Sequence, residues 1–302
     1  MRITPNITMQ NSLYNIQHAR TLLDGIQEKI ASGKNYNRPS DDPVSARLLV
    51  GINDKLTAGE QYDNNIKKAE IWLKMTSTAL QGMTDYIYQA KSLAASVSSG
   101  TSDVNIRNNA LIQIDAIKQQ VIDMGNLQHN GIYIFGGGVT ATPPFTSGPP
   151  PPYYQGDDTE LKVEIGPGST ETMNLVGSQV LTPDESASQP FGTTNVLSTL
   201  DDLRAAIFAN DVPGIQAGVQ SLYQAGIQLE NAQSTVASRM LRLDGAAKMN
   251  ESTRSTLQQV YSNVQNADYA KLAVELSQQQ LAFEATLSST ARISQVSLLD
   301  YL

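Results

Sequence analysis

The sequence predicts a mainly α-helical protein: a long antiparallel coiled-coil-like rod built from both chain ends, with a small β-rich inserted domain. Three observations predict it. An apolar stripe recurs every three and four residues from Ile66 to Val97, a second one runs from Val219 to Leu257, and nine of the thirteen prolines fall between Gly136 and Asn195.

The chain opens on Ile7, Met9, Leu13, Ile16, Ala19, Leu23, Ile26 and Ile30, one apolar stripe of a helix. At Arg38-Pro-Ser-Asp-Asp-Pro43 the residue types change to those of a helix start, with Asp42 as cap and Pro43 in the first turn, where its missing N–H is harmless. The stripe that follows reads Ile66, Ala69, Leu73, Thr76, Leu80, Met83, Ile87, Ala90, Ala94 and Val97, with Leu48, Ile52 and Tyr62 extending it upstream. At about 1.5 Å per residue such a helix reaches roughly 75 Å, far beyond a compact domain, so a rod is expected. The tract Ser98 to Asp103 breaks the pattern, and Ala110, Ile114, Ile117, Val121, Met124 and Leu127 mark a second helix packing back on the first.

The middle differs in kind. Ile132–Phe135 and Leu161–Ile165 suit short strands, Met173 with Leu175 suits another, and Pro149 to Pro152 reads as a stiff surface connector. Between Gly136 and Asn195 seven acids stand against the single Lys162, so this stretch holds most of the chain's net charge of -8.

Helical spacing returns with Val196, Leu200, Leu203 and Ile207 and stops at Asp211-Val-Pro-Gly214. The second long stripe then runs Val219, Leu222, Gly226, Leu229, Gln233, Val236, Met240, Leu243, Ala247, Asn250, Arg254 and Leu257, with polar or Gly positions interrupting it. Val260, Val264, Ala267, Val274 and Leu281 carry it toward a tail that stays apolar through Leu276, Phe283, Leu287, Leu298, Leu299, Tyr301 and Leu302. The expected division is a terminal pair of 1–40 with 265–302, a rod of 41–135 with 195–264, and a β-rich surface domain at 136–194.

The two ends pose a physical problem. Each can cover one seam of the other, yet isolated helices of this length are marginal in water and ordering is driven by burial. Further cover is therefore expected from other subunits, with the ends mobile in the monomer and helical on assembly. The residues expected at that subunit interface are Ile7, Leu13, Ile16, Leu23, Ile30, Val274, Leu281, Phe283, Leu287, Leu298, Leu299 and Leu302.

Other functions find little support. There is no basic stripe with interleaved aromatics, so no nucleic-acid partner is expected. There is no cysteine, no apolar run that spans a membrane and no secretory signal at the N-terminus; export, if it occurs, is expected by another route. His18 lies beside the N-terminal stripe and His129 in the turn Gln128-His-Asn-Gly131, neither with ligand-like spacing to carboxylates. Asp41 and Asp42 read as capping acids before a cation site, and Gly136-Gly-Gly138 as a turn before a phosphate cradle. Asp157, Asp158 and Glu160 lack the ligand order of a calcium loop, and Trp72 reads as packing. Catalytic, cofactor and metal residues are expected to be none. The weaker alternative is a central β module that binds carbohydrate or hydrolyses a substrate.

The segment Ala31-Ser-Gly-Lys-Asn-Tyr-Asn-Arg-Pro-Ser-Asp-Asp-Pro-Val-Ser-Ala46 resembles the N-terminal signature of bacterial flagellins and their hook–filament junction relatives. Asn266-Ala-Asp-Tyr-Ala-Lys-Leu-Ala273, Gln278-Gln-Gln-Leu-Ala-Phe-Glu-Ala-Thr-Leu287 and the closing Ser297-Leu-Leu-Asp-Tyr-Leu302 are similar to the matching tail. Asn130-Gly-Ile-Tyr-Ile-Phe-Gly-Gly137 before Pro144-Phe145, with Tyr154-Gln-Gly-Asp157, is more similar to the junction members than to filament flagellin. The resemblance implies terminal helices in an inner tube, a helical rod outside it, and a β module facing solvent. It also implies secretion by the flagellar type III pathway, with an export chaperone at the C-terminal region. Assembly would be as a ring between hook-associated protein 1 and flagellin.

Overall fold

The computed structural model describes residues 5–98, 103–147, 153–183 and 189–299. Among the described residues the chain is mainly helical, with two small antiparallel hairpins. It forms two compact units, Met1–Ala58 with Ser252–Leu302, and Gly59–Glu251.

In the second unit, helix α2 (Pro43–Val97) meets helix α6 (Val212–Gln265) in antiparallel sense. Asn250 donates its side-chain amide to the Gly59 carbonyl at 2.8 Å, Gln233 to the Ser77 hydroxyl at 2.9 Å, and Tyr88 donates to the Glu230 carboxylate at 2.5 Å. Every member of the stripe from Ile66 to Val97 is buried, as are Leu222, Leu229, Val236 and Leu243 of α6. The polar members have local reasons. Thr76 returns its hydroxyl to the Trp72 carbonyl at 3.0 Å, Gln233 meets Ser77, and a Cβ on Gly226 would stand 3.1 Å from the Tyr88 ring. Trp72 is buried in the same core.

Helix α3 (Val104–Gly125) starts where Asp103 accepts the Asn105 N–H, and α5 (Val196–Ala209) where Asn195 accepts the Ser198 N–H. Lys118–Asp201 and Arg204–Asp115, each at 2.7 Å, tie the two helices together. Asn210 closes α5 in the left-handed region at φ 53°, and α6 starts two residues on, beyond Asp211.

The insert is less regular than its sequence suggests. Strands β1 (Gln128–His129) and β2 (Ile132–Tyr133) turn through Asn130 and Gly131, both at positive φ. Ile134 and Phe135, expected to continue the strand, are buried in a turn instead. The second hairpin pairs β3 (Lys162–Gly166) with β4 (Ser169–Thr172). The expected strand at Met173 and Leu175 is thereby corrected: the turn at Gly168 sets Thr172 opposite Lys162, so the ladder is used up before Met173. Met173 still donates its N–H to the Leu161 carbonyl, and the buried Leu175 and Val176 lead into a short helix, α4 (Gly177–Leu181). The hairpin docks on the long helices. Asn65 reaches the Glu164 carbonyl at 2.9 Å, and Arg242 holds both oxygens of Glu171 at 2.8 and 2.7 Å. Residues 149–152 of the proline run lie outside the described residues; an antiparallel bridge joins Phe145 to Tyr154 on either side of them.

Candidate assembly surface

The first unit contains helix α1 (Pro5–Ser32) and helix α7 (Tyr269–Leu299), one from each end of the chain. Gly33, at φ 68°, lets α1 stop and offers its carbonyl to the Ala267 N–H at 3.0 Å. Asn35 donates to the carbonyls of Gln265, Val264 and Asn266, and Asp268 caps α7 by accepting the N–H groups of Ala270 and Lys271. This tie fixes the end of one helix against the start of the other. They then run antiparallel, and Gln279 donates to the Ala19 carbonyl at 3.2 Å.

Steps of four and three define the seam between them. On α1 the positions are Ser12, Ile16, Ala19, Leu23, Ile26 and Ile30, with Ser12 and Ala19 buried and the others half-buried. On α7 they are Leu272, Leu276, Gln279, Phe283, Thr286 and Thr290, with Leu272 buried and the rest half-buried. Two helices cover one another on one side only, so apart from Ser12, Ala19 and Leu272 the seam is no more than half-buried.

The expected interface residues divide accordingly. Ile16, Leu23, Ile30 and Phe283 stand at the seam between α1 and α7. Ile7, Leu13, Val274, Leu281 and Leu287 are exposed, with Leu281 at 69% and Val274 at 57%. The side chains of Leu298 and Leu299, and all of Leu302, lie outside the described residues. Sequence reading missed Leu22 and Tyr14, both exposed and apolar on α1. The helical phase would have found them, since neither falls in the seam register. Beside the seam runs a groove of about 420 Å³ lined by Thr21, Leu22, Gly25, Ile26, Lys29, Glu275, Gln278 and Gln279.

The remaining candidates are engaged locally. Asp42 accepts the N–H groups of Val44 and Ser45 at 3.1 and 3.0 Å, with Pro43 as the first residue of α2. Those backbone bonds hold its carboxyl below the usual aspartate range. Asp41 accepts the Arg38 N–H at 3.0 Å. His18 is exposed and stacks on Tyr14, and His129 lies in β1 with its ring nitrogen 3.3 Å from the Asn130 amide. In the glycine run, Gly137 is at φ 67° and Gly138 donates its N–H to Asp157, which also accepts two bonds from Thr159. These bonds lower the Asp157 pKa. Asp158 receives the Ser178 hydroxyl and Glu160 pairs with Lys162. Among the described residues no group of three or more His, Asp or Glu is placed to hold a metal ion, and no helix is long and apolar enough to cross a membrane.

Residues 3–140 match the family profile of the bacterial flagellin N-terminal helical region. Flagellar hook-associated protein 3 of Escherichia coli is 24% identical over 217 residues, 68% of this chain and 67% of that one. Flagellin of Bacillus subtilis is 20% identical over 312 residues, covering 98% and 97%. The crystal structure of Bacillus cereus FlgL superposes with a TM-score of 0.59 at 22% identity, covering 70% of this chain and 99% of that one. In fold and in these matches the chain is similar to flagellin-type proteins of the bacterial flagellum. Among those proteins it is similar to hook-associated protein 3.

Proposed function

We propose that this protein is a non-catalytic subunit joining the flagellar hook to the filament, and that its copies assemble through their terminal helices. One observation carries the reading: α1 and α7 cover one seam between them and leave Ile7, Leu13, Leu22, Val274 and Leu281 exposed. A fully buried Leu or Ile contributes about 1.5 to 3 kcal/mol, so a repeated interface over these positions is strongly favoured. The partners are further copies in a ring, hook-associated protein 1 on one side and flagellin on the other. An export chaperone takes the C-terminal region before secretion through the flagellar type III pathway, and the final location is outside the cell. In this reading residues 1–40 and 265–302 form the assembly pair, 41–135 with 195–264 the rod, and 136–194 the surface domain.

The test is charge insertion. Leu13→Asp and Leu281→Asp abolish incorporation into flagella and leave the second unit folded, because a charge buried without a partner costs several kcal/mol. Normal incorporation of both variants contradicts the reading. Flagellin is the second reading, favoured by the match to Bacillus subtilis flagellin along nearly the whole chain. Purified protein that grows long filaments from its own seeds supports flagellin; growth that stops at a limited ring supports the junction role.

A further inference from the structure

Two asparagines stand in the left-handed region, Asn130 at φ 52° and Asn210 at φ 53°, and their surroundings differ. Asn210 is followed by Asp211, whose backbone N–H is engaged by the Ala206 carbonyl at 2.9 Å. Asn130 is followed by Gly131, in the one Asn-Gly pair of the sequence. Both residues are exposed at the tip of the β1–β2 hairpin, and a Cβ on Gly131 would meet nothing within 4 Å. Gly131 thus brings no side chain to the turn, and no neighbour fills the place of one. The hairpin has two ladder pairs, Gln128 with Tyr133 and His129 with Ile132. So short a ladder opens locally at little cost, which lets the turn leave its folded geometry.

A proton carrier stands beside this turn. His129 is half-buried, with Nε2 3.3 Å from the amide nitrogen of Asn130. An amide nitrogen only donates, so in the folded turn Nε2 accepts its N–H. Imidazole also exchanges protons with water near neutral pH, which suits it to serve a nitrogen that becomes basic during a reaction.

We propose that Asn130 is a site of spontaneous covalent modification, in which its side chain closes on the Gly131 backbone, loses ammonia and ends as aspartate or isoaspartate. In the opened turn the Gly131 nitrogen gives its proton to water and bonds to Cγ of Asn130. The Cγ–Nδ2 bond then breaks. The departing nitrogen, by then a basic amine, takes a proton from the His129 imidazolium and leaves as ammonia, and the imidazole recovers its proton from water. One water molecule opens the resulting five-membered imide. Opening at Cγ leaves aspartate; opening at the main-chain carbonyl leaves the chain running through Cβ and Cγ as isoaspartate. Aspartate keeps the turn, since Asp tolerates the left-handed region. Isoaspartate lengthens the main chain by a methylene next to the ladder, and either product adds a negative charge. Ile134, buried and bonded through its N–H to the Leu127 carbonyl, lies just beyond, so isoaspartate loosens the start of the insert. The chemistry is independent of the assembly role.

The test is the ageing of the purified full chain in neutral buffer at body temperature, sampled over weeks by peptide mass spectrometry. Electron-transfer fragmentation distinguishes aspartate from isoaspartate. Asn130 is expected to gain one mass unit before any other asparagine and many times faster than Asn210, with isoaspartate present among the products. No conversion at Asn130, or conversion no faster than at Asn210, overturns the inference. His129→Gln, which keeps a polar side chain beside the turn, is expected to slow conversion several-fold at an unchanged thermal midpoint. Conversion at the wild-type rate in that variant overturns the part given to His129.

Discussion

Gln279 of α7 donates its side-chain amide to the backbone carbonyl of Ala19 on α1, 260 positions away, at 3.2 Å. A long side chain at the centre of the seam reaches across only because Ala19 opposite it is small, so the two residues together set how closely and in what register the chain ends meet.

That closeness makes Ala19 intolerant of volume. Ala19→Leu is expected to destabilise the α1–α7 pair by about 1–3 kcal/mol through overpacking. Hydrogen exchange should show faster exchange through α1 and α7, with amides of α3 and α5 unchanged.

The hairpin β3–β4 is held to α6 by Glu171, whose side chain is 10% exposed and paired with Arg242. The Arg242 hydrogen bonds hold the Glu171 carboxyl below the usual glutamate range. With the folded value depressed, the unfolded chain binds the proton more readily. The stabilisation is therefore complete above the ordinary glutamate pKa of about 4.3 and is lost as pH falls through the lower folded value. Glu171→Gln is expected to cost roughly 1.5–3 kcal/mol at neutral pH, the worth of a charged hydrogen bond. Chemical denaturation across pH 3 to 7 should show the wild-type stability of the second unit falling toward that of the variant at the acid end.

Gly137→Ala should damage the insert. The residue is at φ 67°, and a Cβ there would run into the Asp157 backbone and carboxylate. Both strain and overpacking act, and a loss of about 1–3 kcal/mol is expected by thermal unfolding. Gly168→Ala, at φ 68° with open space around it, should cost less, since strain acts there without the clash.

Asp42→Ala removes the acceptor for the Val44 and Ser45 N–H groups. The first turn of α2 is expected to fray, with rapid exchange at those two amides and unchanged protection near Leu73. Asp42→Ser, which keeps an acceptor at the cap position, should restore much of the protection.

Much of this architecture was legible in the sequence because long helices repeat their burial pattern many times. Ile66 through Val97 keep one alternation of three and four through ten positions, so a single polar member such as Thr76 does not hide the seam. The insert was harder to read. Phe135, Phe145 and Leu181 are fully buried there, yet they are positioned by glycine turns and by the Asn126 amide bonded to Phe145, which leave no period to follow. On the terminal helices the apolar residues were visible but their directions were not. Leu13 and Ile16 read as one stripe, and only the partner helix distinguishes Ile16 at the seam from Leu13 on the flank.

The most direct measurement is hydroxyl-radical footprinting of the full chain, free in solution and within isolated flagella, read at Leu13, Leu22, Val274 and Leu281. If neighbouring copies cover the terminal helices, these side chains are oxidised readily in the free protein and protected several-fold after assembly, while Phe208, 77% exposed in the second unit, serves as the reference. Equal oxidation of the four leucine and valine positions in both states would contradict assembly through the terminal helices.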